Sequence, residues 1–377
     1  MKAKFTLFSV VFLIVSNAFA QTEIDASITH DGLVRTYRLY IPAKYKAGSN
    51  VPLIFNLHGY GSNNLQQEFY GDFRHIADTA NFIIALPNGS LDASNKQFFN
   101  CLFDNNSNVD DVGFISALID TVSAKYSIDK NAIYATGMSN GGFMSYELAC
   151  KLSNRIAAIA SVAGVELYTH FNSCSPGHPV PVMHIHGTND GTVPYAGSLV
   201  WLPVETLVAS WVDFNKCTKT PNVSNVPDIN NTDGCTAVHY VYENGENGST
   251  VEFYKVVGGD HSWPGAIINL NTTNQDFNAS KEIWRFFSKY KLNKLTETKE
   301  PVSLNYKVYP NPTATLFTIS FPDYSSKTIW VTNAIGQQVL NFESNNTEEE
   351  INVSEKGLYF ITVLEGNHIR TEKLIKL

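Results

Sequence analysis

Three widely separated residues of this 377-residue chain could together perform nucleophilic catalysis. Ser139 is the middle residue of Gly-Met-Ser-Asn-Gly, Asp190 follows Gly-Thr-Asn, and His261 follows Gly-Gly-Asp. A serine hydroxyl attacks a carbonyl carbon efficiently when an imidazole removes its proton and a carboxylate holds that imidazole in place. The residue types therefore predict acyl transfer through an acyl-enzyme on Ser139, with His261 as the base and Asp190 as its orienting acid.

The segment around Ser139 predicts the sharp turn that such a nucleophile needs. An apolar strand, 132–135, precedes the serine, and a helix over about 142–152 follows it. Gly137 and Gly141 flank the serine at the positions where a side chain would clash in this turn. The backbone N–H groups of Asn140 and Tyr60 are the predicted oxyanion donors, because they follow the nucleophile and an early strand, respectively.

The other two residues lie on loops that follow predicted buried strands. Asp190 comes after the strand at 180–185, and His261 comes after the strand at 252–257. The order serine, aspartate, histidine is that of α/β-hydrolases, and ligands bind at the carboxyl ends of strands in such sheets. Other acids and histidines have structural interpretations as helix caps, loop braces or sheet packing: Asp110, Asp111, Asp260, His58, His184 and His186.

The alternation of helices and apolar strands predicts an α/β fold over residues 21–292. Strands that are apolar on both faces indicate a mostly parallel sheet with helices on both sides. A polar, Lys- and Glu-rich stretch follows and is interpreted as a linker over 293–305. From residue 306 to 377, short alternating strands separated by turns predict a small all-β sandwich.

The first twenty residues predict a signal peptide and hence export. Lys2 and Lys4 precede an apolar stretch at 7–15, and Ala18-Phe19-Ala20 is a small-x-small cleavage site. A membrane anchor is the alternative, but no later segment reaches the roughly 18 apolar residues of a spanning helix. The net charge of −8 argues against nucleic acid as a partner.

The five cysteines are interpreted as disulfide candidates because the chain is predicted to be exported. Cys217 with Cys235 is the favoured pair, Cys150 could reach Cys174, and Cys101 is then left over. Sequence alone leaves the pairing open. The cysteine and histidine spacings do not match those of a zinc site, and no metal or cofactor is expected.

Five sequence blocks occur in order over about residues 25–292. They are His58-Gly-Tyr-Gly61, Asp110-Asp-Val-Gly-Phe114, Gly137-Met-Ser-Asn-Gly-Gly142, His186-Gly187 with Asp190 and Val193-Pro-Tyr195, and Gly259-Asp-His-Ser-Trp-Pro-Gly265. Together these blocks resemble the polyhydroxybutyrate depolymerase/feruloyl esterase group of α/β-hydrolases. The resemblance implies the triad Ser139, Asp190 and His261, with Trp263 beside the site. It implies cleavage of cinnamoyl or acetyl esters on plant polysaccharide, or of short polyesters.

The tail contains four further recognisable segments, Val308-Tyr-Pro-Asn-Pro312, Asn333-Ala-Ile-Gly336, Gly357-Leu-Tyr-Phe360 and Lys373-Leu-Ile-Lys376. With these segments the tail resembles the C-terminal sorting domain of type IX secretion in Bacteroidetes. This implies an export machinery as partner and a secreted or outer-surface location. A carbohydrate-binding sandwich is the alternative, although the tail aromatics Trp330, Tyr309, Tyr324 and Tyr359 are scattered.

Together the residues predict a secreted serine carboxylester hydrolase acting on plant cell-wall esters. A hydroxyalkanoate depolymerase is the alternative within the same chemistry, and an acyltransferase would use the same acyl-enzyme. A hypothesis from another class is a non-catalytic, surface-attached glycan-binding protein that reuses the fold.

Overall fold

The computed structural model describes residues 21–101, 108–268, 272–295, 305–366 and 368–377. Residues 1–20, and with them the predicted signal peptide, lie outside the described residues, as does most of the predicted linker. The chain divides into two compact units, Met1–Thr296 and Glu297–Leu377.

A ten-stranded sheet forms the centre of the first unit. Its spatial order is β1-β2-β4-β3-β7-β8-β9-β12-β11-β10. The six inner strands, from β4 to β12, are parallel, and two antiparallel strands extend the sheet at each edge. The strands are β1 Thr22–His30, β2 Leu33–Ile41, β3 Val51–Leu57, β4 Ile83–Pro87, β7 Ile128–Met138, β8 Ala158–Val162, β9 Val182–Gly187, β10 Asn222–Asn225, β11 Thr236–Tyr242 and β12 Val251–Val257, with a separate hairpin of β5 Ser90–Leu91 and β6 Gln97–Phe98.

Helices cover both faces of this sheet, and each face has its own apolar core. Helices α3, α4 and α6 contribute Phe114, Phe143 and Leu207 to one core. Helices α2 and α7 contribute Ala77 and Phe286 to the other. The helices are α1 Asn64–Tyr70, α2 Arg74–Ala80, α3 Asp111–Lys125, α4 Asn140–Lys151, α5 Tyr168–Phe171, α6 Val204–Phe214, α7 Ala279–Phe287 and α8 Leu292–Leu295.

The predicted elements of the α/β unit are present, with shifts of a few residues at their ends. Some short elements of the structure were not predicted from the sequence. They include helices α1 and α2 and the exposed edge strand β10, which lack a clear apolar period. Helix α8 begins at Leu292, one residue before the predicted linker, and extends into it.

Two of the five cysteines form a disulfide. Cys150, in the last turn of α4, is bonded to Cys174. The favoured Cys217–Cys235 pair was wrong, since both thiols are free and buried. Cys217 belongs to the core beneath α3, α4 and α6, whereas Cys235 belongs to the core on the opposite face. The sheet between the two cores separates them, and this could not be read from their flanking loop.

The second unit is an all-β sandwich of two antiparallel sheets, in the orders β13-β14-β17 and β16-β15-β18-β19. Its core includes Phe317, Ile329 and Ile361. Of the tail aromatics, Tyr359 is buried, whereas Tyr324 is exposed. The strands are β13 Lys307–Tyr309, β14 Phe317–Ser320, β15 Lys327–Asn333, β16 Gln338–Ser344, β17 Glu348–Ile351, β18 Gly357–Glu365 and β19 His368–Lys376.

In the part of the chain that the structure describes, no helix has the length and apolar character needed to cross a membrane.

The disulfide should contribute measurably to stability. It closes a loop between residues 24 apart in sequence, and a cross-link of that span is expected to stabilise by about 3 kcal/mol. We expect the Cys150→Ala/Cys174→Ala variant to lose about this much unfolding free energy in urea titrations. Dithiothreitol should lower the stability of the natural protein and leave that of the variant unchanged. Equal sensitivity of both proteins to the reductant would contradict the assignment.

Candidate active site

Ser139 occupies a strained turn between β7 and α4. Its φ of 54° and ψ of −119° lie outside the regions that L-residues ordinarily adopt. The Ser139 N–H donates to the Val162 carbonyl at 2.8 Å, which ties the turn to the end of β8. Such a backbone conformation persists only where the surrounding structure holds it. Here the turn places the serine hydroxyl at the carboxyl edge of the sheet.

The two flanking glycines are required by close packing against β3. A Cβ atom on Gly137 would lie 2.5 Å from the Leu57 carbonyl oxygen, and a Cβ atom on Gly141 would overlap the same oxygen. Real Cβ atoms do not approach backbone that closely, so α4 can begin here only because both positions lack side chains. The glycine requirement expected from the motif therefore has a specific cause in the end of β3.

Asp190 and His261 are brought together by two neighbouring parallel strands. Gly187, at the end of β9, is the register partner of Val256 in β12. The loops after these strands are also joined, since the Asn189 N–H donates to the Gly259 carbonyl at 2.9 Å. As a result, His261 Nδ1 lies 2.7 Å from Asp190 Oδ2, although the residues are 71 positions apart.

The Asp190 carboxylate is buried and has several hydrogen-bond donors. Oδ1 accepts the N–H groups of Thr192 at 2.9 Å and Val193 at 2.7 Å. Oδ2 faces His261 and also His186 Nε2, at 3.3 Å. Burial acts to raise the pKa of Asp190, but the hydrogen bonds from His186 and His261 outweigh it and hold that pKa well below its ordinary value. The carboxylate stays ionised and can orient an imidazole.

His58 holds the loop that carries Tyr60. Its ring is buried and packs against the tilted ring of Phe99 with centroids 4.7 Å apart. His58 Nε2 accepts the Gly89 N–H at 2.9 Å, so in the neutral ring Nδ1 carries the proton and donates to the Gly59 carbonyl at 2.8 Å. This agrees with the structural role predicted for His58. Burial is the main cause that lowers the pKa of His58, to about 4.

Ser139 and His261 line one cavity of about 290 Å³. The serine hydroxyl forms no hydrogen bond among the described residues, and in unliganded sites such contacts often form only with substrate bound. Gly59 and Tyr60, from the loop after β3, also line this cavity. The remaining lining residues are Gly61, Ser62, Gln66, Tyr70, Met138, Ser262, Trp263, Ala266, Ile268 and Thr273.

The other residues that the sequence singled out, Trp263, Asn140 and Asp260, each have identifiable contacts in the structure. Trp263 lines the cavity, and its buried Nε1–H donates to Ser280 Oγ at 3.2 Å. The Asn140 side chain turns away and pairs with the backbone of Phe99. Asp260 accepts the His261 backbone N–H rather than the imidazole, so its predicted loop-capping role fits.

Two residues that take part in the candidate site were not predicted from the sequence. His186 reaches Asp190 in addition to bracing its loop, and the only available signal was their spacing of four residues within His-Gly-Thr-Asn-Asp. Tyr70 enters the cavity from α1, a helix that was not predicted.

Comparison with known proteins relates this chain to carboxylesterases. Residues 43–220 match the family described as Phospholipase/Carboxylesterase. A probable feruloyl esterase C from Aspergillus niger is 30% identical over 244 residues, which cover 61% of this chain and 82% of that protein. The chain belongs to the same family as this feruloyl esterase. It is a carboxylic ester hydrolase.

Two further relatives agree in fold or domain. The bifunctional acetylxylan esterase/xylanase XynS20E of Neocallimastix patriciarum is 26% identical over 260 residues, covering 69% of this esterase but only 34% of that longer protein. The solved structure of an acetyl xylan esterase from Aspergillus awamori superposes with a TM-score of 0.50 at 13% identity. That superposition covers 71% of this chain and 99% of the other, and it supports the fold alone.

The second unit has its own match. Residues 307–377 correspond to the secretion system C-terminal sorting domain. The esterase is therefore exported and works outside the cell or on its surface, and the sorting domain implies a secretion machinery as partner.

The neutral, buried state of His58 predicts a specific pH dependence of stability. An unfolded histidine has a pKa of roughly 6.5, so between pH 6.5 and about 4 the unfolded chain binds the extra proton and the folded chain does not. Stability contributed by His58 is present above that window and is lost as the pH falls through it. From pH 7 to 5 the loss should be about 2 kcal/mol.

His58→Asn provides the comparison, because it keeps a donor for the Gly59 carbonyl and removes the titrating ring. Urea unfolding at pH 7 and pH 5 should give a smaller loss for the variant than for the natural protein. The buried His184 makes the same contribution in both proteins and cancels in the comparison. An equal loss in both would contradict the assignment.

Proposed function

We propose that this esterase cleaves cinnamoyl or acetyl esters on plant cell-wall polysaccharide, through an acyl-enzyme on Ser139. The observation that carries the proposal is the 2.7 Å contact between His261 Nδ1 and Asp190 Oδ2, beside a cavity that Ser139 also lines. The relatives with feruloyl esterase and acetylxylan esterase names support the substrate class.

In this mechanism His261 alternates between base and acid. Nδ1–H is held by Asp190, which leaves Nε2 free to accept the Ser139 proton as Oγ attacks the ester carbonyl. The imidazolium then gives that proton to the leaving sugar hydroxyl, and the acyl group remains on Oγ. A water molecule, deprotonated by the same nitrogen, attacks the acyl-enzyme, releases the carboxylic acid and restores the Ser139 hydroxyl.

The negative charge on the carbonyl oxygen needs fixed donors. Backbone N–H groups of Asn140, at the start of α4, and Tyr60, in the loop after β3, are the proposed pair. The Asn140 side chain accepts from and donates to the backbone of Phe99, which fixes the start of the helix. His58 fixes the Tyr60 loop by its hydrogen bonds to Gly59 and Gly89.

The cavity lining favours a compact aromatic acyl group over a polymer chain. Tyr60, Tyr70 and Trp263 supply aromatic surface around Ser139, and Met138 and Ile268 add apolar surface. Planar rings stack favourably on such side chains. Phe98 and Phe99 are buried and do not widen this aromatic surface, since neither lines the cavity. A cinnamoyl ester therefore fits this site better than a hydroxyalkanoate polyester.

Replacing the nucleophile tests the chemistry. Ser139→Ala removes the attacking oxygen and should lower kcat on p-nitrophenyl acetate by roughly 10⁴-fold or more. Ser210→Ala serves as the matched control and should keep full activity, because Ser210 is a half-buried serine of α6 whose hydroxyl donates to the Thr206 carbonyl of its own helix. Full turnover by Ser139→Ala would overturn the proposed mechanism.

A substrate panel tests the specificity. Methyl ferulate should give the highest kcat/KM, acetylated xylan should be hydrolysed, and hydroxybutyrate oligomers should be the poorest substrates. Preference for the oligomers would favour a polyester depolymerase. Absence of both turnover and fluorophosphonate labelling at Ser139 in the folded protein would favour the non-catalytic glycan-binding alternative.

A further inference from the structure

We propose that His186 is a positioning residue for catalysis, the last member of a buried hydrogen-bond relay, Tyr146–His184–His186, that holds the Asp190 carboxylate from behind. This inference rests on the proposed triad and extends it inward by three residues.

The relay is a continuous row of contacts through the core. Tyr146 Oη, from α4, lies 2.8 Å from His184 Nδ1. His184 Nε2 lies 3.2 Å from His186 Nδ1, and the two rings, both on β9, are stacked with centroids 5.3 Å apart. His186 Nε2 lies 2.9 Å from the Val193 carbonyl and 3.3 Å from Asp190 Oδ2. All these side chains are buried.

The acceptors at one end set the direction of every proton in the row. A carbonyl and a carboxylate can only accept, so His186 Nε2 carries a proton. With a neutral ring, His186 Nδ1 is then an acceptor for His184 Nε2–H, and the bare His184 Nδ1 accepts the Tyr146 hydroxyl proton. Every polar hydrogen has an acceptor in this arrangement.

A cationic His186 would reverse the row. His186 Nδ1–H would then donate to His184 Nε2, and His184 Nδ1–H would donate to Tyr146. The Tyr146 hydroxyl hydrogen would be left without an acceptor among the described residues, which is costly in the interior. Burial also lowers the pKa of His184 well below its ordinary value and raises the pKa of Tyr146, so both remain neutral.

The relay ends on the same oxygen that orients His261. Asp190 Oδ2 faces His261 Nδ1 at 2.7 Å and His186 Nε2 at 3.3 Å, while Oδ1 is held by two backbone N–H groups. His186 therefore fixes where Oδ2 lies and shares its negative charge. Loss of this donor would leave Asp190 less well fixed and would concentrate its charge on the catalytic imidazole.

Other charged groups near His186 are paired with each other. Lys255, its register partner on β12, lies 2.8 Å from Glu205 of α6 and above the Tyr195 ring. The Tyr195 ring is edge-on to His186 at 6.1 Å between centroids and donates its hydroxyl hydrogen to Glu205. Beyond Asp190, these described neighbours give His186 no carboxylate of its own.

Two substitutions separate positioning from packing. His186→Gln keeps an acceptor for His184 and a donor for Asp190 on one terminal amide, whereas His186→Leu has similar bulk and neither function. His178→Gln is the control for losing a histidine elsewhere, because both His178 nitrogens contact backbone carbonyls of Ser153 and Pro179. Kinetics of the full chain on p-nitrophenyl acetate, measured from pH 4.5 to 9, provide the readout.

We expect His186→Leu to lower kcat roughly 10- to 100-fold through misplacement of the base. Its acid limb of kcat/KM should move to higher pH by about half a unit, because the less shared Asp190 charge stabilises protonated His261 more strongly. His186→Gln should keep the acid limb of the natural protein and most of its kcat, and His178→Gln should match the natural protein in both.

The pH profile distinguishes the possible results. An unmoved acid limb in His186→Leu, with thermal unfolding showing a folded protein, would overturn the positioning role. If His186→Leu does not fold, His186→Gln and Tyr146→Phe decide the question. The relay is supported if His186→Gln keeps the acid limb of the natural protein and Tyr146→Phe moves it to higher pH by less than His186→Leu is expected to. An acid limb in Tyr146→Phe identical to that of the natural protein would overturn the relay. Failure of the proposed function itself would appear separately, as full activity of Ser139→Ala.

Discussion

The parallel pairing of β9 with β12 is the constraint on which the site depends. Strands that run in the same direction end at the same edge, so the loops after Gly187 and Val257 emerge side by side. Hydrogen bonding between Asn189 and Gly259 then joins these loops. The contact of 2.7 Å between Asp190 and His261 therefore depends on this sheet topology.

Ser139 is brought to the same edge of the sheet by the turn that follows β7. β7 is separated from β9 by β8, and the turn after β7 is tied to β8 through the Val162 carbonyl. The turn is possible because α4 starts directly against the end of β3, where Gly137 and Gly141 leave room for the Leu57 carbonyl. The strained backbone at Ser139 therefore depends on the close packing against Leu57.

Buried polar groups support the site on both sides. His58 orders the loop that carries Tyr60, and its neutral ring is fixed by one donor and one acceptor. On the opposite flank, His186 and His184 connect Asp190 to the core. Each of these histidines is satisfied by hydrogen bonds, which is the condition under which a polar side chain can be buried without loss of stability.

The sequence by itself determined the order of the longer strands and helices, the turn around Ser139 and the three residues of the candidate triad. Those features depend on local periodicity, on glycine spacing and on the chain order of one fold class. Tertiary structure alone decided which cysteines pair, because the sheet separates Cys217 from Cys235 and this separation has no local signal. It also decided that Tyr70 enters the cavity and that His186 reaches Asp190, since both contacts arise where separate elements pack together.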